Sequence, residues 1–205
     1  MKGFGSHMTF NYPSGTRVNK QTVQTKTTRS KGYGNRGATL ENDLNVTNKF
    51  YVDSNRANIH KKPTPIQIVD VHYPRRSAAV ITEAYFKQPS TTDYNGVYKE
   101  KYIDFEAKET KQNTRFPLSN IHDHQIEHMS SILHHGGISF FIIRFTTLDE
   151  TYFVNLPFVL SYWENQNKGG RKSIPYDHIK ENGHLIPLKY QTPVDYLSII
   201  DRLFF

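Results

Sequence analysis

The chain has 205 residues, enough for one domain, with or without appendages, and for a real hydrophobic core. It has no cysteine, which excludes a disulfide framework and a Cys-based zinc site and suits a reducing cytoplasm. The net charge of +7 is unevenly placed: residues 1–37 carry seven Lys/Arg and no acid, so the 19 remaining cations balance the 19 acids of residues 38–205.

Residues 1–37 read as a flexible basic arm. They are rich in Ser, Thr, Asn, Gln and Gly and poor in apolar side chains, a composition expected to stay disordered when free. Gly5-Ser6-His7-Met8 reads as the scar of a cleaved expression tag, so residues before about Thr9 are set aside from function. Arg17, Arg29 and Arg36 are candidate DNA contacts of the sequence-independent, phosphate-neutralising kind, ordered on binding. A plain solubility tail is the alternative. Gly32 to Gly37 is a glycine-rich join that lacks the Lys-Ser/Thr ending of a phosphate loop. No secretory signal is visible. No run approaches the ~18 apolar residues of a membrane span; the longest, Ile138 to Phe145, is broken by Ser139 and Arg144.

Residues 38–205 read as a single domain. Thr39 is a plausible N-cap, and Leu40, Glu41, Leu44 and Phe50-Tyr51 follow as an amphipathic helix. Glu41 in its first turn suits the helix dipole. Ala57 to His60 begins a short strand that Lys61-Lys62-Pro63-Thr64-Pro65 breaks. Ile66, Ile68 and Val71 form one strand-like run and Ala78 to Phe86 another, joined by a turn at Tyr73-Pro74-Arg75-Arg76-Ser77. Together residues 62–89 read as a long, two-sided ribbon with Lys at its root and Arg at its tip. An ordinary hairpin inside the core sheet is the alternative.

Ser90 to Lys111 reads as a hairpin, with Asn95-Gly96 as its turn. On its second run the period of two puts Ile103, Phe105 and Ala107 on one face and Asp104, Glu106 and Lys108 on the other. Asp93, at the start of the hairpin, can fold back beside Glu106. Two carboxylates would then be available for a hard divalent cation, with a lysine next to them. A salt-bridged surface strand is the competing explanation. The spacing Asp-x12-Glu-x-Lys matches the P-D…(D/E)-x-K pattern of restriction-endonuclease-type nucleases, with Thr92 in place of the Pro.

Ser119 or Asn120 can cap a helix running to about His134, with Ile121, Gln125, Met129 and Leu133 on one face and Gly136-Gly137 as its stop. Gln125 is odd on that face, since a buried amide needs partners. His124 and His128 stand at i, i+4, but no third zinc ligand follows at motif spacing. Ile138 to Phe145 reads as the most buried strand and Tyr152 to Val154 as its partner. Pro157 suits the start of a helix reaching Trp163, Ile174 to Glu181 a short helix stopped by Gly183, and Pro193 the opening of a last helix with Val194, Leu197, Ile200 and Leu203. The order predicts an α/β fold, a central mixed sheet flanked by helices.

The strings H-K-K-P-T-P-I-Q-I-V from His60, H-Y-P-R-R-S-A-A-V-I from His72, E-A-Y-F from Glu83, T-T-D-Y-N-G, Y-I-D-F-E-A-K-E-T-K and H-D-H-Q-I-E-H-M from His122 occur in that order. They closely resemble the RecU family, the Holliday-junction resolvases of low-GC Gram-positive bacteria, over roughly Tyr33 to the C-terminus. The resemblance implies a restriction-endonuclease-like core with residues 62–89 as a protruding stalk. It implies a Mg2+-dependent endonuclease, with Mn2+ able to substitute, that nicks two strands of a four-way DNA junction symmetrically as a homodimer. By resemblance, Asp93, Glu106 and Lys108 are catalytic, and Thr91, Asp93, Glu106 and Gln125 hold the metal. Glu41 would stand behind these ligands, as related nucleases place an acid on their first helix. Lys61, Lys62, Arg75, Arg76, Tyr73 and Phe86 would contact DNA, joining Arg17, Arg29 and Arg36. RecA and a branch-migration helicase are implied partners, with modulation of RecA and strand annealing as further roles, and the location would be cytoplasmic and nucleoid-associated. The rival reading is a non-catalytic DNA-binding or bridging accessory of recombination. A third is a plain duplex nuclease.

Overall fold

The computed structural model describes residues 39–75, 78–87 and 91–205. In chain order these form α1 (Leu40–Asp53), β1 (Asn58–Lys61), β2 (Ile66–His72), β3 (Val80–Phe86), β4 (Tyr94–Tyr98) and β5 (Lys101–Thr110). Then come β6 (Arg115–Pro117), a 3-10 turn (Leu118–Asn120), α2 (Asp123–His134), β7 (Ile138–Phe145), β8 (Glu150–Asn155) and α3 (Leu156–Asn167). The last elements are β9 (Ser173–Pro175), α4 (Tyr176–Asn182), β10 (His184–Leu185) and α5 (Leu197–Phe204). This is the mixed α/β architecture expected of a restriction-endonuclease-like chain.

Two units can be distinguished. One contains β2 and β3, which among the described residues pair only with each other. Their side chains are exposed on both faces, with Val71 alone half-buried. The other unit is built on a six-stranded sheet in the order β1-β4-β5-β7-β8-β10. All its pairs are antiparallel except β5 with β7. A parallel pair needs a crossover, and β6, the 3-10 turn and α2 supply it.

The sheet is covered on both faces. On one side α1 and α5 bury Leu44, Tyr51, Leu197 and Ile200 against Ile103, Phe105, Phe140 and Ile142. The rings of Tyr94, Phe105, Phe140 and Phe153 stack in sequence across β4, β5, β7 and β8, with centroids 4.8, 4.8 and 4.3 Å apart. Such contacts contribute about 0.5–1.5 kcal/mol each beyond their burial, and they fix the register of the strands that carry the polar face. On the other side α2 and α3 pack Ile126, Met129 and Val159 onto Phe141, Ile143 and Val154. There β5 contributes Asp104 and Glu106, both buried, where a core strand would place apolar residues.

Four local readings need correction. Asn95-Gly96 is not the hairpin turn: both residues lie within β4, and the turn is Lys99-Glu100, with φ of 46° and 64°. Positive φ at both central residues is the type I′ requirement. Gly96 is needed for a different reason, because a Cβ there would lie 2.1 Å from the carbonyl oxygen of Asn58 on the paired strand β1. The cap of α2 is His122 rather than Ser119 or Asn120, which belong to the 3-10 turn. Ile174 pairs with Phe116 in a strand, so the helix begins at Tyr176. Pro193 lies in a turn, and α5 begins only at Leu197.

Candidate active site

Antiparallel pairing sets Tyr94 opposite Phe105, so the residues just beyond them, Asp93 and Glu106, meet at the end of the β4–β5 ladder. The Asp93 backbone N–H donates to Glu106 Oε2 at 3.0 Å. Lys108, two residues along the same face of β5, brings its ammonium to 2.9 Å from Glu106 Oε1. Glu106 is only 2% exposed. Burial pushes its carboxyl up to about 7; the nearby Asp93 charge adds to this, while Lys108 opposes it. The three residues singled out for chemistry are therefore neighbours, and burial makes the Glu106 carboxyl reluctant to ionise.

Tyr94 shows how closely the acids gather. Its phenol is pushed far above the ordinary range, first by burial and then by the charges of Glu41, Asp93 and Glu106. Glu41 is thus in electrostatic reach of the same tyrosine as the two hairpin acids. It is half-exposed and paired to Lys61 at 2.6 Å. Its helix is anchored from the site strand itself, because Glu109 Oε1 accepts the Leu40 N–H at 2.8 Å.

Gln125 is buried on α2, where its Oε1 accepts the His122 N–H at 3.1 Å and forms half of a capping box. That helix cap answers the partner question its apolar face raised. The amide oxygen keeps a second lone pair for another partner. Thr91 is half-buried and directly precedes the residue pair Thr92-Asp93. The two helix histidines do not form a pair of metal ligands: His124 stacks on His122, and His128 Nε2 lies 3.2 Å from Asp104 Oδ2. Among the described residues no three His, Asp or Glu side chains converge as a metal cluster.

The residue that reading by spacing passed over is Asp104. It lies on the same face as Glu106, is fully buried, and accepts from Thr92, Lys62 and Tyr102. Its place on the polar face was the available signal. Lys62, expected on DNA, has its ammonium turned onto this carboxylate at 2.9 Å. Of the other expected DNA contacts, Lys61 is exposed beside Glu41, and Tyr73, Arg75 and Phe86 are exposed. Arg17, Arg29, Arg36 and Arg76 lie outside the described residues.

Comparison with known proteins adds an independent line. The family model described as RecU, Recombination protein U, matches residues 35–202. A protein of Oceanobacillus iheyensis is 57% identical over 197 residues, covering 95% of this chain and 100% of its own. One from Geobacillus kaustophilus is 55% identical over 198 residues, covering 97% and 99%. One from Bacillus cereus is 54% identical over 199 residues, covering 97% and 100%. All three are named Holliday junction resolvase RecU.

Proposed function

This chain belongs to the RecU family of recombination proteins, and from that premise we propose that it is an endonuclease that resolves four-way DNA junctions. The observation that carries the reading is the contact of both Asp93 and Lys108 with the buried Glu106 at the β4–β5 hairpin.

The donors suit a small, hard divalent cation, for which Mg2+ is the proposal and Mn2+ a substitute. They are two carboxylates, Asp93 and Glu106, with an amide oxygen on Gln125 and a hydroxyl on Thr91. Mg2+ is commonly held by only one or two carboxylates and takes its other ligands from water and substrate phosphate, so the pair Asp93 and Glu106 suits it. When bound, such a cation polarises the scissile phosphate and makes its water a better nucleophile. Lys108 places positive charge where negative charge develops on the phosphate. Glu106, held between Lys108 and the Asp93 amide, cannot swing away, so the two acids keep a fixed relation to the lysine. Water adds at phosphorus as the P–O3′ bond breaks, which leaves a 5′-phosphate and a 3′-hydroxyl. Two strands of a junction must be cut symmetrically, so a homodimer with matching two-fold symmetry is part of the reading.

The test is cleavage of a synthetic four-way junction against a linear duplex, with Mg2+ and with EDTA. Wild type should cut the junction in Mg2+ only. Asp93→Ala and Glu106→Ala should bind the junction and leave it whole, and Lys108→Ala should turn over on the order of 10²–10³ times more slowly. Near wild-type cutting by either acid variant would remove the assignment. Sedimentation showing only a monomer with DNA bound would remove the symmetric two-nick scheme.

A further inference from the structure

Asp104 is a fully buried carboxylate that gathers four partners around it. The Thr92 hydroxyl donates to its Oδ1. Its Oδ2 accepts from Lys62 Nζ at 2.9 Å and from the Tyr102 hydroxyl at 3.3 Å, and lies 3.2 Å from His128 Nε2. A carboxylate is kept in such a place only when paired and hydrogen-bonded. The source of each partner matters more than their number. Thr92 immediately precedes Asp93. Lys62 follows β1. Tyr102 and Asp104 sit on the strand of Glu106 and Lys108. His128 lies one helical turn beyond Gln125. The segments that carry Thr91, Asp93, Glu106, Lys108 and Gln125 therefore all reach this one group.

The backbone around Asp93 is held from both sides. Its C=O accepts the Lys62 N–H at 2.7 Å, and its N–H donates to Glu106 at 3.0 Å. Lys62 Nζ also donates to the Thr92 hydroxyl at 3.0 Å. Thr92 stands where the nuclease pattern has proline. Proline sets its own φ in advance; threonine does not, and here a buried side-chain hydrogen bond can supply the restraint instead. We infer that Asp104, Thr92 and Lys62 form a buried clamp that sets Asp93 against Glu106, with His128 extending it to the helix of Gln125. These are positioning residues, and none of them touches reacting atoms. Lys62 is thereby assigned to the clamp and not to a DNA phosphate. The inference deepens the proposed function and rests on it for its metal-binding and catalytic consequences.

Thr92→Val removes the hydroxyl at nearly constant shape, and Thr92→Ser keeps it. Three quantities are read on the full chain. In Thr92→Val, amide hydrogen exchange over Thr91 to Asn95 should speed by about tenfold or more while β7 and β8 keep wild-type protection. Mn2+ affinity of the DNA-free protein, measured by calorimetry, should fall by about tenfold. Junction-cleavage kcat should fall by on the order of 10²-fold, the effect of a small displacement of a reacting group, with KM changed less than about twofold. Thr92→Ser should restore all three. Lys62→Met should repeat the valine pattern, which keeps the clamp testable if one variant fails to fold. Wild-type exchange and Mn2+ affinity in Thr92→Val would overturn the inference. So would exchange that rises equally over β7 and β8, since that marks general support of the fold, or a Lys62→Met that only raises KM, as a phosphate contact would. If the exchange and Mn2+ effects appear but wild type fails to cut junctions, the clamp stands and the proposed function falls.

Discussion

Glu106 binds its proton more tightly in the folded chain than a solvated carboxyl does, because burial disfavours its charge. The folded value of about 7 lies above the ordinary 4.5. The protonated form therefore favours folding, and this contribution is complete at acid pH below the ordinary value and is lost as pH rises through about 7. The proposed cation binding needs the ionised form, so the two demands oppose one another. Mn2+ affinity should climb as pH rises from about 5.5, by up to tenfold per unit, and level off above about 7. Calorimetry in buffers of different ionisation enthalpy should show proton release on binding below that point and none well above it. An affinity that is flat across this range would mean that Glu106 is not a ligand. At this scale the acid pair and the lysine were legible, because a 13-residue separation across a hairpin is a local relation. The partners of Asp104 were not, since Lys62 and His128 reach it from 42 and 24 residues away.

The β4–β5 hairpin carries most of the candidate site and is turned by two residues that dislike their own conformation. Lys99 and Glu100 both have positive φ, where a Cβ is crowded. Lys99 has a compensating ion pair with Asp201 at 2.6 Å. Glu100→Gly should relieve the second position and stabilise the protein by about 0.5–1 kcal/mol, the left-handed penalty less the extra chain entropy of glycine. Urea denaturation checks this, and a lower midpoint would count against it. The same hairpin explains why its turn was misplaced. Asn-Gly is the strongest short turn signal, yet Gly96 answers here to the close approach of β1. Most strands and helices were readable from their periods; β6, β9 and β10 were not, because two or three residues show no period at all.

At the scale of the molecule, the β2–β3 pair has almost no buried side chain, so it contributes little to a hydrophobic core. Tyr73, Tyr85 and Phe86 are 67%, 61% and 84% exposed. Aromatic surfaces of this kind stack on unpaired bases for about 1–3 kcal/mol each, and the open centre of a four-way junction offers such bases where a linear duplex does not. Replacing residues 72–77 by a short Gly-Ser turn should leave the melting temperature within a few degrees of wild type and weaken junction binding more than duplex binding. Equal loss on both DNAs in a stably folded variant would show that the pair does not read junctions. The ribbon was visible in the sequence because its two runs are flanked by Pro and basic residues. A hairpin inside the core sheet was the alternative, and the separate β2–β3 sheet with Ile68 and Val69 exposed speaks against it.

The single parallel pair, β5 with β7, also sets an order of assembly. The β4–β5 strands close through a two-residue turn, an event of roughly microseconds. Their parallel neighbour can dock only after residues 111–137 have looped back, at a larger entropic cost. Asp93 and Glu106 should therefore meet early, and the helix bearing Gln125 and His128 should arrive late. Substitutions in the hairpin would then slow folding, while those in α2 would mainly speed unfolding, and a kinetic series with the reverse pattern would refute that order. If the order holds, the carboxylate pair exists before the cover of the site is in place, and a cation at the hairpin could act as a nucleus for the rest of the domain.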